Sequence, residues 1–170
     1  MKHLLIAVSI LVAAASLTFA EDPAPDLLLK ENLGGIKIGL SEKGLSAILG
    51  KSVVTKGKLE LEGATGDYIQ TLDCPEKGLS VKLSAGENKK GAKTVAAFTA
   101  TAKCTLATAK GIKIGSKMAD VVEAYGAVRD KENADAARPD TFVAGSIFGG
   151  IIFTFKDGKV SEIFFGAAAE

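Results

Sequence analysis

The sequence predicts an α+β protein made of two tandem units, each a helix or pair of helices followed by a small antiparallel sheet. Three observations carry this reading. Gly35-Ile36-Lys37-Ile38-Gly39 recurs as Gly111-Ile112-Lys113-Ile114-Gly115, 76 residues further on. The register persists past the loop, since Leu45, Ile48, Leu49 and Gly50 stand against Val121, Ala124, Tyr125 and Gly126 at the same offset. Each copy then runs through a polar stretch into alternating, strand-like segments. A register held beyond the glycines is the mark of a duplicated structural unit.

In chain order, residues 1–20 read as a secretory leader. Lys2 and His3 give a positive start, Leu4 to Ala15 form an apolar run broken only by Ser9, and Thr18-Phe19-Ala20 offers small residues where a signal peptidase cuts. The run is shorter than the ~20 apolar residues a membrane span needs, and no cysteine near the cut could take a lipid. Cleavage after Ala20 would leave residues 21–26, acidic and proline-bearing, as an exposed mature start. The expectation is a periplasmic or secreted protein with no stable membrane anchor.

The first unit, residues 27–104, opens on the apolar piece Leu27 to Leu33, a candidate short helix. Ser41 stands where an N-cap hydroxyl takes an orphan N–H. Leu45, Ile48 and Leu49 have the i, i+3, i+4 spacing of a buried stripe, so a helix is expected over 42–49. Gly50 follows at the C′ position, where a left-handed residue closes a helix. Strands are expected over Tyr68–Leu72, Leu79–Leu83 and Thr94–Ala102, with a lysine- and glycine-rich loop from Gly86 to Lys93.

The second unit, residues 105–170, repeats the order. Thr105 to Lys110 is the candidate first helix, Ser116 the cap, 117–125 the main helix and Gly126 its closing glycine. Strands are expected over Thr141–Ser146, Ile151–Phe155 and Val160–Phe165. Asp157-Gly158 between the last two signals a tight hairpin, because both positions must accept positive φ. Neither small sheet can hide its apolar face alone, so the halves are expected to share a core as one continuous fold.

Composition narrows the chemistry. The chain is 47% hydrophobic and 24% charged, and its single histidine, His3, lies in the leader. The 150 residues that would remain have no histidine and 20 basic against 20 acidic groups. Such a chain lacks the parts of a Ser-His-Asp triad, a Cys-His pair or a histidine zinc site. Its neutrality gives no reason to expect nucleic acid as partner. No cofactor or metal is implied, and a non-catalytic role is expected. Charge is uneven along the chain: residues 32–110 carry 12 basic and 7 acidic groups, residues 111–170 carry 7 and 9.

Few residues are candidates for special roles. Cys74 and Cys104 lie in the first unit, and in an oxidising compartment they are expected to form a disulfide. Closing that loop would add about 3–4 kcal/mol in the chain-entropy model. The charged run from Arg129 to Asp135 falls short of a calcium loop, with alanine at the fifth position and no glycine at the sixth, and reads as a solvated connection. Glu60, Glu62, Asp67, Asp73 and Glu76 show no spacing that marks a catalytic pair. Gly145-Ser146-Ile147-Phe148-Gly149 is not a nucleophile elbow, since the serine follows the first glycine directly. Phe148 sits in a glycine-flanked turn, where it either stands exposed as a binding anchor or folds under the sheet with Phe153 and Phe155.

Gly-Ile-x-Ile-Gly, a serine, a helix ending in glycine and a strand–Asp-Gly-Lys–strand hairpin together resemble the repeat of the β-lactamase inhibitory protein-like superfamily. The bearing residues are Gly35 to Gly50, Gly111 to Gly126 and Ile151 to Val160. One unit is also similar to the small outer-membrane assembly lipoproteins of the SmpA/OmlA type. The resemblance implies a continuous concave sheet, helices on one face, and a protein partner met by the Asp73–Gly78 and Ile147–Gly150 turns. On that footing Asp73, Glu76 and Phe148 are the candidate partner-binding residues. The chain departs from the inhibitors in having no tryptophan and a single cysteine pair, and from the lipoproteins in lacking a lipidated cysteine.

The expected function is therefore that of an exported non-catalytic protein binding another protein of the envelope or extracellular space. A narrower form is inhibition of a secreted or periplasmic hydrolase. The alternatives are an envelope structural or assembly component, and a small-molecule binder or enzyme with a pocket between the units.

Overall fold

The computed structural model describes residues 24–130 and 140–168, with side chains from residue 27 onward. The segment expected to be a leader and most of the charged run from Arg129 to Asp135 lie outside the described residues. Period-2 alternation, which puts successive side chains on opposite faces, governs far more of this chain than helical spacing. A first helix, α1 (Ala24–Lys30), is followed by α2 (Glu42–Leu49) and four strands, β1 (Thr55–Leu61), β2 (Tyr68–Cys74), β3 (Leu79–Ser84) and β4 (Thr94–Ala100). Then come α3 (Met118–Tyr125), a 3-10 turn over Gly126–Val128, and β5 (Thr141–Ser146), β6 (Gly149–Lys156) and β7 (Lys159–Gly166).

The expected α+β class is overturned. The molecule is mainly β, one open antiparallel sheet of seven strands in the order β1-β2-β3-β4-β7-β6-β5. Its helices are short, at seven, eight and eight residues. Two physical causes account for the difference. Thr105–Lys110 does not coil, because its backbone is engaged elsewhere: Thr108 bridges Leu33, and Ala107 bridges Lys113. The polar stretch after α2 is also not a loop. Its residues Thr55–Leu61 form the edge strand β1, which has no apolar alternation because it is largely exposed.

The repeat is expressed in the backbone. Gly39 N–H donates to the Val95 carbonyl and Val95 N–H to that of Leu40, both at 2.8 Å. In the second copy Gly115 N–H donates to the Val160 carbonyl and Val160 N–H to that of Ser116, again at 2.8 Å. Glu42 N–H to Lys93 and Met118 N–H to Gly158 complete the match at 3.0 Å. Each glycine loop thus staples the start of its helix to the last strand of its own unit. Gly39 (φ 80°) and Gly115 (φ 87°) hold the left-handed backbone that this turn requires.

Capping differs between the copies. Ser41 Oγ accepts from Gly44 N–H at 3.2 Å, as an N-cap should. Ser116 is not a cap: Lys117 occupies the place of Ser41, and Asp120 Oδ2 accepts its N–H at 3.0 Å, while Ser116 Oγ accepts from Lys113 N–H. Gly50 closes α2 with φ 64°, but Gly126 is right-handed at φ −57° and leads into the 3-10 turn. Asp157 (φ 52°) and Gly158 (φ 71°) make the β6–β7 hairpin with both central residues left-handed.

The two units meet at β4 and β7, where Phe98 pairs Phe165, Thr99 pairs Phe164 and Ala100 pairs Ile163. Val95 and Val160, equivalent by their loop bonds, are 65 residues apart, and so are Thr99 and Phe164. Under that offset the pair Phe98–Phe165 becomes Ala100–Ile163 with the strands exchanged. A pseudo-twofold axis therefore runs through the Thr99–Phe164 pair, perpendicular to the sheet. Both main helices lie on one side of it: Leu45 and Leu49 of α2 join Val121 and Tyr125 of α3 in a single core with Phe98, Phe153 and Phe165. Phe98 and Phe165 stack across the seam with centroids 4.5 Å apart. Helix α1 belongs to the first unit by sequence yet packs on β5 and β6 of the second, where a Cβ on Gly145 would come 3.1 Å from Leu27 Cδ2.

Candidate binding face

With α2 and α3 on one side, the other face of the sheet shows the residues paired across the dyad. The register links Thr55, Asp73, Ser80, Thr99, Phe164, Ile152 and Val143 in one row through all seven strands. Its first-unit half is polar and its second-unit half apolar. Asp73 is exposed and Ser80 Oγ donates to its Oδ1 at 2.6 Å, which ties the polar half together. Phe164 and Ile152 are half-buried. A Cβ on Gly166 would stand 3.2 Å from Phe164 Cζ and 2.8 Å from Ala97 Cβ. Only glycine leaves room there for the ring to lie along its own strand.

The face is bordered by two turns related by the pseudo-dyad. In the β5–β6 turn Phe148 is 70% exposed, so it does not fold under the sheet with Phe153 and Phe155. Its N–H donates to Ser146 Oγ at 3.0 Å, which fixes the turn beneath the ring. In the β2–β3 turn Glu76 is exposed. A Cβ on Gly78 would meet Cys104 N at 2.8 Å, so this turn is pressed against residues 101–104. The dyad puts the two turns at opposite ends of the sheet. Asp73 lies in the central row, Glu76 at one end and Phe148 at the other, so the structure does not gather the three candidates into one cluster.

Cys74 and Cys104 are both buried, and both are free thiols in the structure. They flank the same β2–β3 turn and share the core. Burial pushes the Cys104 thiol pKa up, against weaker opposing effects of a Leu106 backbone hydrogen bond and the Lys77 charge.

A second polar feature lies inside the core. Glu31 and Thr108 are buried side chains, and Glu31 Oε2 accepts from Ala109 N–H at 3.3 Å. The Tyr125 hydroxyl is buried without a hydrogen-bond partner among the described residues. Burial drives its pKa upward, the neighbouring Thr108 hydroxyl opposes this more weakly and the Glu31 carboxylate adds to the rise, so the phenol stays protonated. Lys110 Nζ sits 4.7 Å above its ring and donates to the Ala124 carbonyl at 2.8 Å. This cluster ties α1, the second glycine loop and α3 together.

Among the described residues no group of three or more His, Cys, Asp or Glu side chains could hold a metal ion, and no helix is long and apolar enough to cross a membrane. A shallow groove of about 520 Å³ runs between the second glycine loop and α3, lined by Lys110, Ser116, Asp120 and Glu123 among others. The fold and face define a duplicated antiparallel-sheet protein whose central row passes from polar to apolar across the seam. Compared with known proteins, the chain matches no protein-family model, no curated protein and no solved structure.

The sequence did not point to the pair Phe164–Ile152 as a surface, nor to Val143 at the end of their row as buried. These residues are as apolar as their core neighbours, so composition alone does not say which face is covered. The alternation was visible; the side on which the helices lie was not.

Proposed function

We propose that this chain is an exported, non-catalytic protein that binds another protein through the open face of its sheet. The observation that carries the reading is the half-exposed apolar row Phe164–Ile152, with Phe148 standing out of the β5–β6 turn beside the same half. Aromatic and branched side chains at the centre of a face, rimmed by polar groups, are the composition of a binding patch. Thr99, Ser80 and Asp73 supply the polar rim toward the first unit. Inhibition of a secreted or periplasmic hydrolase is the narrower form, in which the partner's active-site rim would close over Phe148. The apolar run in residues 4–15 supports export, and export in turn supports a Cys74–Cys104 disulfide in the mature protein.

A photo-reactive amino acid placed at position 148 or at Thr99, in cells making the protein, tests this. Specific adducts with one protein at both positions, and none from a control at Lys43 on α2, are expected. Absence of any adduct from either position would overturn the reading. Phe148→Ala should weaken the captured complex by more than about 1 kcal/mol.

A further inference from the structure

We propose that the free edge of β1 pairs with the β1 of a second copy of this chain, antiparallel across a twofold axis at Leu59. The two seven-stranded sheets then continue into one.

The backbone is turned for it. Tyr68 sends its N–H to Gly86 and takes that of Ala85, both at 2.9 Å, so its hydrogen bonds point to β3. Leu61, opposite Tyr68, therefore has its own N–H and carbonyl directed away from β2, and by period 2 so has Leu59. Glu62 confirms the phase, since its N–H donates inward to the Asp67 carbonyl at 2.8 Å. A twofold at Leu59 brings outward amides of the two copies together as a reciprocal hydrogen-bonded pair.

The side chains are self-complementary in that register. Residues 57–61 read Gly-Lys-Leu-Glu-Leu. β1 carries a bulge between Lys56 and Leu59, so the regular part of the seam is short: reversed about Leu59, it sets Leu59 against Leu59 and Lys58 beside the other copy's Glu60. Glu60 pairs with Ile69, and Lys58 and Glu60 line one shallow depression with Leu61, Glu62, Ile69 and Thr71. Neither has an ion pair among the described residues, whereas Lys56 already pairs with Glu42 and Glu62 with Lys82. Leu61 is 60% exposed on the same edge.

Neighbouring registers that keep the faces matched fail. Centring on Lys58 or on Glu60 opposes like charges at the axis and turns inward amides to the seam. Charges on an edge strand deter pairing with a chain that brings no counter-charge; here the strand carries both signs, in mirror order. The lysines thus reject foreign edges and accept this one.

The test is a charge swap read by sedimentation equilibrium of the leader-free protein over a range of concentrations. The wild type is expected to dimerise reversibly. Lys58→Glu alone sets Glu against Glu60 at both symmetric pairs, and Glu60→Lys alone sets Lys against Lys58. Either should weaken association roughly tenfold or more. The double variant K58E/E60K restores opposite charges and should return to near the wild-type constant. All four proteins should show the same far-ultraviolet circular dichroism, because both residues are surface groups. A wild type that stays monomeric at every concentration would overturn the proposal. So would a dimer unaffected by the single swaps, or one lost in them and not recovered in the double variant.

Discussion

Tyr125 is the residue where the core departs from an apolar interior. Its ring packs against Phe153 with centroids 5.2 Å apart, while its hydroxyl is buried without a partner among the described residues. An unpaired buried hydroxyl costs about 1–3 kcal/mol, so Tyr125→Phe should leave urea-unfolding stability unchanged or raise it by up to about 1 kcal/mol. A loss of more than that would show the hydroxyl to be engaged with Glu31 or Thr108. Cys104 gives a second residue-scale expectation. Its raised pKa keeps it a thiol rather than a thiolate near neutral pH. In protein prepared under reducing conditions, iodoacetamide at pH 8 should label it far more slowly in the folded than in the urea-unfolded chain. Equal rates would contradict its burial.

Among the elements, α2 and β1 depend on one another through charge. Lys56 Nζ reaches Glu42 Oε1 at 2.7 Å, and Lys93 Nζ lies 4.0 Å from the other oxygen. The Lys56 hydrogen bond holds the Glu42 carboxyl below its ordinary pKa. A carboxyl whose pKa is lower folded than unfolded stabilises the fold above its unfolded pKa of about 4.3, and the contribution is lost as pH falls through the folded value. The wild type should therefore exceed Glu42→Gln in stability at pH 7, and the gap should close on acidification to pH 3. A gap independent of pH would place the effect in packing instead. Ser41 is the other support of α2: Ser41→Ala should cost about 1 kcal/mol, read as a shift in urea midpoint. Helix positions were legible from apolar spacing and glycine stops, but the capping of α3 was not, because a lysine whose N–H is taken by Asp120 carries no serine-like signal. The strand β1 was missed for a related reason. Its pattern follows the solvent and not the core, and strand assignment from alternation needs one buried face.

For the molecule as a whole, the seam decides cooperativity. Phe98 and Phe165 are fully buried and stacked where the two units join, and α1 crosses from the first unit onto β5 and β6. Phe98→Ala should cost about 3–5 kcal/mol and lower the protection of both halves together. Hydrogen exchange of amides in β2 and β6 reads this directly. Persistent protection in one half after loss of the other would show two separately stable units. The same seam bears on the function proposed above, since one continuous sheet carries one central row that is polar across the first unit and apolar across the second.

What the sequence by itself determined is local. The glycine loops, the eight-residue helices and the Asp157-Gly158 hairpin are written in short motifs, because positive φ and i, i+3, i+4 burial constrain only neighbouring residues. The fold class was not determined that way: Thr105–Lys110 bridges distant backbone instead of coiling, and Thr55–Leu61 pairs with β2 despite its charges. The tertiary structure alone decided that β4 meets β7 about a pseudo-twofold, that α1 covers the far unit, and that Glu76 and Phe148 stand at opposite ends of the sheet. It also decided which of two apolar sets is covered, leaving Phe164 and Ile152 half-exposed while Phe153 and Phe165 are buried. These outcomes rest on register and packing between segments far apart in the chain, where free energy comes from surfaces that exist only once the strands are assembled.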